Sequence, residues 1–495
     1  MAAPTLSEAA DAQIERGHRL SRDARHSEAE ACYRRALALV PGHPLALNNL
    51  GWERQMQGDV DEAITDYELA LRNAPGLRIA RRNLAMLYLR LGLRAQSLPL
   101  WRQELASGPE GAAWLADLAA TSMQARDLTL AGEYAALLAQ ARWGCDADLS
   151  GNGRSFGTCL PAAKVPQFLS VPKLRHDIEQ FVYLQRAGIC GHGLAPIIAA
   201  YEQTLERMLL RGHVREPLDE AAQRSIGHVF NRLVHVRPTP RLARGLSGTW
   251  SSQEVEQNYL DHAIGLVVID DFLAPEALES LRLFCLESTV WSGNRYAHGR
   301  LGAFFRDGFN CPLLLQIAEE LRDCFPRMIG DSHPLRQLWG FKNGEYLPGN
   351  STTHADFAAV NVNFWITPDS ANLDATGGGL IVYGVDAPAN WDFDSYNSRP
   401  DRIHPYLRQQ QASAVSIPYR ANRAVIFNSD LFHATAELHF RPGYENRRIN
   451  ITMLYGDRAD DVAHQGLARS DTTGVSHETS HTWRSAAFRR AGRSR

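Results

Sequence analysis

The sequence predicts a multidomain α + β chain: an α-helical repeat solenoid, then a β domain of the jelly-roll or barrel-like sandwich type. Three observations carry this. The first third repeats itself at a spacing of 34 residues. The last half holds many short segments rich in β-branched and aromatic residues, parted by Gly, Pro and Asn clusters. No helical crossover separates those later segments, which disfavours a parallel α/β sheet.

A chain of 495 residues exceeds one ordinary core, so two or three domains are expected. Apolar residues at 44% and charged residues at 22% fit a soluble globular profile. The net charge of -3 gives no reason to expect nucleic acid or an anionic membrane as a partner. No apolar run approaches the roughly 20 residues of a bilayer helix. The opening "MAAPTLSEAADAQIERGH" lacks the basic start and apolar block of a secretory signal. Seven scattered cysteines without a C-x-x-C pair favour reduced thiols and a cytoplasmic location.

In the repeat, Gly17, Gly51 and Ala85 superpose, as do Ala29, Ala63 and Ser97. Tyr33, Tyr67 and Trp101 form a third column and Pro41, Pro75 and Pro109 a fourth. Ala36 and Ala70 also match, but the third copy has Glu104. Small residues let two helices approach, the aromatic fills the gap between them, and proline ends the second helix. The pattern resembles the tetratricopeptide repeat, with copies near 10–43, 44–77 and 78–111. A fourth helix pair over 112–143 keeps Ala131, lacks the aromatic at its expected place, and is expected to act as a cap. The resemblance implies a concave groove for a protein or peptide. Arg78, Arg81 and Arg82 either line that groove for an acidic segment or, as the pattern favours, are solvated.

The expected organisation is a solenoid over 1–144, a linker and helical connector over 145–225, the chemistry-bearing domain over 226–460, and an unstructured tail over 461–495. In the connector, His176 and Asp177 read as helix-contact residues rather than a ligand pair. In "GLVVIDDFLAPEALESLRLFCLES" a buried strand precedes a helix starting at Ala274 or Pro275. The segments "QLWGFKNGEYL", "AAVNVNFWIT", "GGGLIVYG", "RAVIFNSDLFHA" and "RINITMLYG" then read as strands.

"HADFAAVNVNFWITPD" supplies the sharpest signal. Residues i and i+2 of a strand share a face about 6.6 Å apart, so His354 and Asp356 can converge on one ion. His433, 79 residues on at the end of a later strand, supplies a third ligand. Two histidines and a carboxylate suit non-haem Fe(II). Zinc is the competing metal, but a closed structural zinc site needs a fourth ligand, and no cysteine lies beyond 324. Arg448 opens the next strand with Asn450 and Thr452 on its face, a fork suited to a carboxylate. Arg447 is an alternative to it, disfavoured by strand alternation. Trp365 and Asn363 share a face with Asn361 and line either a pocket or plain core. Gly377–Gly379 read as a tight turn.

The order "HAD", "GGGL", "FNSDLFHA" and "RINITMLYG" resembles the catalytic core of the Fe(II)/2-oxoglutarate-dependent dioxygenases, nearest to the prolyl-hydroxylase-like branch, over about 260–457. The resemblance implies a double-stranded β-helix with iron on His354, Asp356 and His433. It implies 2-oxoglutarate anchored by Arg448 and Thr452, with Trp365 and Tyr346 as cosubstrate-lining aromatics. It also implies O2 as oxidant and ascorbate as an optional reductant. With Asp356 as a protein ligand no room remains for a halide, so hydroxylation is expected over chlorination. The fifteen-residue gap from His433 to Arg448 is longer than that branch usually has. The stretch 386–411 reads as a long loop forming a substrate wall or lid. The repeats favour a peptidyl, perhaps prolyl, hydroxylase. The alternatives are a small-molecule hydroxylase with repeats used for assembly, and a repeat adaptor with an inactive oxygenase domain.

Overall fold

The computed structural model describes residues 5–106, 110–144, 167–190, 193–349 and 353–458. The expectations for the 145–166 linker and the tail from 461 lie outside the described residues. Among the described residues, eight helices come first, in four antiparallel pairs: α1 (Leu6–Arg22) with α2 (His26–Leu39), α3 (Pro44–Gln57) with α4 (Val60–Asn73), α5 (Arg78–Arg90) with α6 (Arg94–Ala106), and α7 (Glu110–Gln124) with α8 (Leu128–Trp143). The repeat columns are the contacts within pairs. Tyr33, Tyr67 and Trp101 are buried, and a Cβ on Gly17 would stand 2.5 Å from the Tyr33 ring, so only glycine lets α1 and α2 close. In the fourth pair the aromatic is present one position early, as buried Tyr134.

Glu104, the departure from the alanine column, has a clear reason. Its buried carboxylate accepts from Arg78 Nε at 2.9 Å, Arg82 Nε at 2.8 Å and Arg81 at 3.4 Å. The three arginines are therefore neither a solvated face nor an open acidic-peptide groove, because their counter-charge comes from within the repeat. The fourth pair does not cap the solenoid toward solvent. Trp101, Leu115, Ala119, Ala131 and Leu138 belong to the same hydrophobic core as the β domain. Trp143 Nε1 donates to Asp307 at 2.9 Å, and a Cβ on Gly132 would strike Leu315.

The connector holds β1 (Phe168–Ser170), α9 (Val171–Arg186), α10 (Leu194–Leu210), β2 (Arg215–Pro217) and α11 (Glu220–Ile226). His176 and Asp177 are fully buried there. Lys173 Nζ donates to both Asp177 oxygens at 2.6 Å, and the His176 ring meets Tyr444 edge-on at 5.6 Å. This is helix-contact chemistry, as the sequence suggests.

The β domain opens with α12 (Ser252–Asp261), β3 (Leu266–Ile269), α13 (Pro275–Glu287), β4 (Leu301–Phe304) and α14 (Pro312–Cys324). It continues with β5 (Leu335–Lys342), β6 (Tyr346–Leu347), β7 (Val360–Trp365), β8 (Leu380–Asp386), α15 (Phe393–Asn397) and α16 (Pro400–Gln409). It ends with β9 (Ala414–Ile417), β10 (Ala424–Asn428), β11 (Leu431–Thr435), β12 (Leu438–His439) and β13 (Ile449–Tyr455). One antiparallel sheet runs β3-β10-β7-β13-β5-β4 and a second β11-β8-β9. Pairing of β6 with β12 and of His354 with His433 extends the second sheet by an interrupted ladder. From β5 onward the chain crosses between the two facing sheets, with β8 and β9 staying together in the second, which is the order of a double-stranded β-helix. Alternation on β7 turns Val360, Val362 and Phe364 to the helical core, and Asn361, Asn363 and Trp365 to the space between the sheets.

Replacing Glu104 by Ala restores the repeat consensus yet strands three guanidinium groups. We expect it to destabilise the chain by about 2–4 kcal/mol, the lower side reflecting the partial exposure of Arg78 and Arg82. Burial works to raise the Glu104 carboxyl, but hydrogen bonds from Arg78 and Arg82 outweigh it and hold it below its ordinary value. A depressed folded-state value stabilises above the unfolded value of about 4.3 and loses that contribution as pH falls through the folded one. Thermal melts of wild type and E104A should therefore converge in acid and differ most at neutral pH.

Candidate metal centre

The three sequence-predicted ligands meet at one point between the sheets. His354 and His433 pair across strands, each backbone N–H donating to the other's carbonyl, at 3.0 and 2.8 Å. Residues paired this way share a face, and the two imidazole centroids lie 4.4 Å apart. Asp356 returns to that face, with Oδ1 3.8 Å from His354 Nε2 and Oδ2 3.5 Å from His433 Nε2. All three donor atoms lie within 4.8 Å of one another, and no other such group occurs among the described residues.

Two of the three ligands are oriented from behind. His433 Nδ1 lies 3.1 Å from the Leu431 carbonyl, so this nitrogen carries the proton and Nε2 offers its lone pair. Asn361 donates to Asp356 Oδ2 at 2.7 Å. Burial pushes the Asp356 carboxyl up, against the pull of His354 and Arg300. Burial, then His354, holds the His433 imidazole well below its ordinary range, hence neutral. Among the described residues no Lys or Arg forms an ion pair with Asp356. A buried carboxylate beside two imidazoles, with His433 held neutral, is a donor set that a divalent cation completes. Three ligands of N, N, O type leave positions open, which fits non-haem Fe(II) better than a closed zinc site.

The floor of this space is polar. Asn361 accepts from Asn363, whose Oδ1 accepts from Asn450 Nδ2 and Thr452 Oγ1, both at 2.9 Å. Arg448 is buried on the same face of β13. Its Nε donates to the Gly378 carbonyl at 2.6 Å, and its guanidinium lies 5.4 Å from the Trp365 ring centroid. Burial lowers it to about 10, so it stays a cation at neutral pH. The Trp365 indole N–H beside it is buried without an acceptor among the described residues. A guanidinium and an unpaired donor side by side suit one end of a dicarboxylate. Arg447 turns the other way and pairs with Glu179 of α9 at 2.9 Å. The glycines do more than turn. Gly378 takes φ +74°, and a Cβ on Gly379 would lie 1.9 Å from the Ile417 carbonyl.

Tyr346 does not join this group. It is 52% exposed, with its ring on His439. On β6, alternation turns Leu347 inward and Tyr346 out. The stretch 386–411 is not a loop but carries α15 and α16. Their Tyr396, Ile403 and Leu407 pack on Ala355 and Phe432, the outward-facing neighbours of the ligands. Ala355 N–H also donates to the Tyr396 carbonyl at 3.0 Å. Asp392 caps α15 and Pro400 starts α16, signals that the surrounding Asp, Ser and Pro residues obscure. Sequence reasoning also missed Tyr419, whose ring lies tilted against Trp365 at 5.4 Å, and Arg300, whose charge reaches Asp356 and Arg448. Strand alternation through Arg300, Gly302 and Phe304 is the one local signal that bears on Arg300.

Removing the Asn361 amide by substitution with Ala should weaken divalent-metal affinity roughly 10–100-fold, the usual effect of losing a partner to a metal-binding carboxylate. A Co(II) or Mn(II) titration of both proteins measures this.

Residues 14–77 match the tetratricopeptide repeat family. No curated protein matches the chain in sequence. Among solved structures the chain resembles the tetratricopeptide repeat domain of Sgt2 from Aspergillus fumigatus, at 18% identity and TM-score 0.18, covering 31% of this chain and 76% of that one. It also resembles SnoK, a non-heme alpha-ketoglutarate-dependent carbocyclase from nogalamycin biosynthesis, at 13% identity and TM-score 0.31, covering 45% and 94%. A third likeness is to a Pseudomonas putida prolyl-4-hydroxylase, at 12% identity and TM-score 0.28, covering 42% and 100%. The family match places tetratricopeptide repeats at the front of the chain, and the strand order described above makes the later domain an antiparallel jelly roll.

Proposed function

We propose that this chain is an Fe(II)- and 2-oxoglutarate-dependent dioxygenase that hydroxylates a C–H bond, most readily on a protein or peptide, prolyl residues included, held by the repeat domain. The observation that carries this is the convergence of His354, Asp356 and His433 within 4.8 Å at a buried point above an inward-facing Arg448. His354, Asp356 and His433 would hold the iron. Arg448, with Trp365 and Thr452 nearby, would hold the distal carboxylate of 2-oxoglutarate, and Asn363 supports that floor through Thr452. Bound iron with 2-oxoglutarate and O2 supplies the oxidation: the keto acid leaves as succinate and CO2, and one oxygen enters the substrate.

The chain's own residues prepare that chemistry. The proton on His433 Nδ1 keeps Nε2 available, and Asn361 fixes one Asp356 oxygen while the other faces His354. The helices α15 and α16 close the outer side of the ligand strands and keep water from it. The organisation proposed is repeats over 1–144, a connector to 225 and the oxygenase domain from 226 to 460. The five described cysteines are free thiols, which suits a reducing, cytoplasm-like compartment.

A second reading, a small-molecule hydroxylase with repeats used for assembly, is favoured by one observation. The last two repeat pairs share a hydrophobic core with the β domain, so they also serve as its wall.

An anaerobic Fe(II)/2-oxoglutarate titration should give a metal-to-ligand charge-transfer band for the wild type and none for His354→Ala or Asp356→Ala. Both variants should also lose succinate release; wild-type turnover in the two would sink the assignment. Arg448→Leu should keep iron but need roughly 10–100-fold more 2-oxoglutarate, the worth of hydrogen bonds to a charged group.

A further inference from the structure

Arg300 stands two residues ahead of Gly302 on the β4 face. Register places Gly302 opposite Phe341, and Phe341 opposite Asn450, so this face continues into the metal site. The guanidinium carbon lies 4.2 Å from the Phe341 ring centroid and 4.9 Å from that of Tyr296. Stacking of this kind fixes the plane of the guanidinium and leaves its N–H edge for an acceptor. Among the described residues no acceptor takes that edge, and Nε is buried with no hydrogen-bond partner. Arg448 donates to the Gly378 carbonyl, Arg81 to Glu104, Arg458 pairs with Asp430, and Arg232, whose Nε is likewise unpartnered among the described residues, still donates through Nη1 to the Arg142 carbonyl. The acidic group whose field reaches Arg300 is Asp356, committed to the triad, while Arg448 opposes it.

A run of rings leads from Arg300 past the ligands. Tyr296 meets Phe341 at 5.0 Å, Phe341 meets Trp339 at 6.3 Å, Trp339 meets Phe357 at 6.5 Å, and Phe357 meets Phe393 at 6.2 Å. Phe357 directly follows Asp356, and Phe393 heads α15 and is exposed. These partly open rings, each tilted 59–88° to the next, line an apolar trough, and it ends at a guanidinium whose buried Nε has no partner among the described residues.

We infer that Arg300 is a substrate-anchoring residue that binds a carboxylate, and that the substrate is an apolar, aromatic-bearing group carrying that carboxylate, laid along the aromatic run toward the metal. This rests on the oxygenase reading only in placing the reacting C–H at the triad; the recognition itself is a property of the metal-free chain. A free arylalkanoic acid and an aromatic residue beside a peptide carboxylate share this chemistry.

The test uses the full-length chain. Metal-free protein is titrated with 3-phenylpropanoate, with 3-phenylpropanamide, and with a peptide ending in Phe as its free acid and its amide, by ligand-observed NMR. The acids should bind about tenfold or more tighter than their amides, and Arg300→Gln should lose that difference while amide binding stays, as expected for one charge-assisted contact. Arg300→Lys should keep part of it and controls for folding, together with thermal melts. Preference for the free acid over the peptide, or the reverse, names the source. Equal binding of acid and amide, absence of acid binding, or wild-type acid binding by Arg300→Gln would each overturn the inference. So would a variant that keeps acid binding but loses the Fe(II)/2-oxoglutarate charge-transfer band, since Arg300 would then serve the cosubstrate. A wild type without that band defeats the oxygenase reading alone, because the acid–amide comparison needs no metal.

Discussion

The reciprocal backbone pair between His354 and His433 is the constraint on which the site depends. Two hydrogen bonds at 3.0 and 2.8 Å join residues far apart in sequence. Because directly paired residues share a face, the register alone puts two imidazoles side by side. Asp356 then needs only the two-residue period to return to them. A slip of one residue would turn His433 outward and Phe432 in. The packing of α15 and α16 on Ala355 and Phe432 guards against that slip, since these two side chains fill the opposite face.

Behind the ligands the domain gives up apolar packing. Asn361, Asn363, Asn450 and Thr452 fill space that Val, Ile or Leu would occupy in a sandwich built for stability alone. Such a network is tolerable only when its members satisfy one another, and these do so through a chain of side-chain hydrogen bonds reaching Asp356. The apolar core is displaced to the other face of the same sheet, where β7 and β13 meet the helices. One strand, β7, thus carries the core on its even-numbered residues and the site on its odd ones.

The solenoid and the β domain are physically continuous. Glu104 breaks the repeat pattern at the copy where the chain begins to merge with the second domain, and its carboxylate ties α5 to α6 there. Trp143 and Gly132 then carry the fourth pair onto the β domain. The end of the repeat array is covered by protein rather than by a polar cap.

Much of this was legible in the sequence, because it depends on short-range periodicity. The 34-residue columns identify the paired helices, and period two places His354 with Asp356 and Arg448 with Thr452. Arg448 could also be preferred over Arg447 on alternation, and the structure turns Arg447 to Glu179. What pattern could not supply depends on long-range register and helix docking. Tyr346 faces out because β6 meets β12 over only two residues, with Leu347 taking the inward position. The 386–411 stretch is helical because the flank of the ligand strands offers its few apolar residues a surface. Arg300 reaches the site through β4, a strand no local motif connects to the triad. Sequence determined which side chains share a face; only the tertiary structure decided which faces meet, since strand pairing joins residues that local patterns never see together.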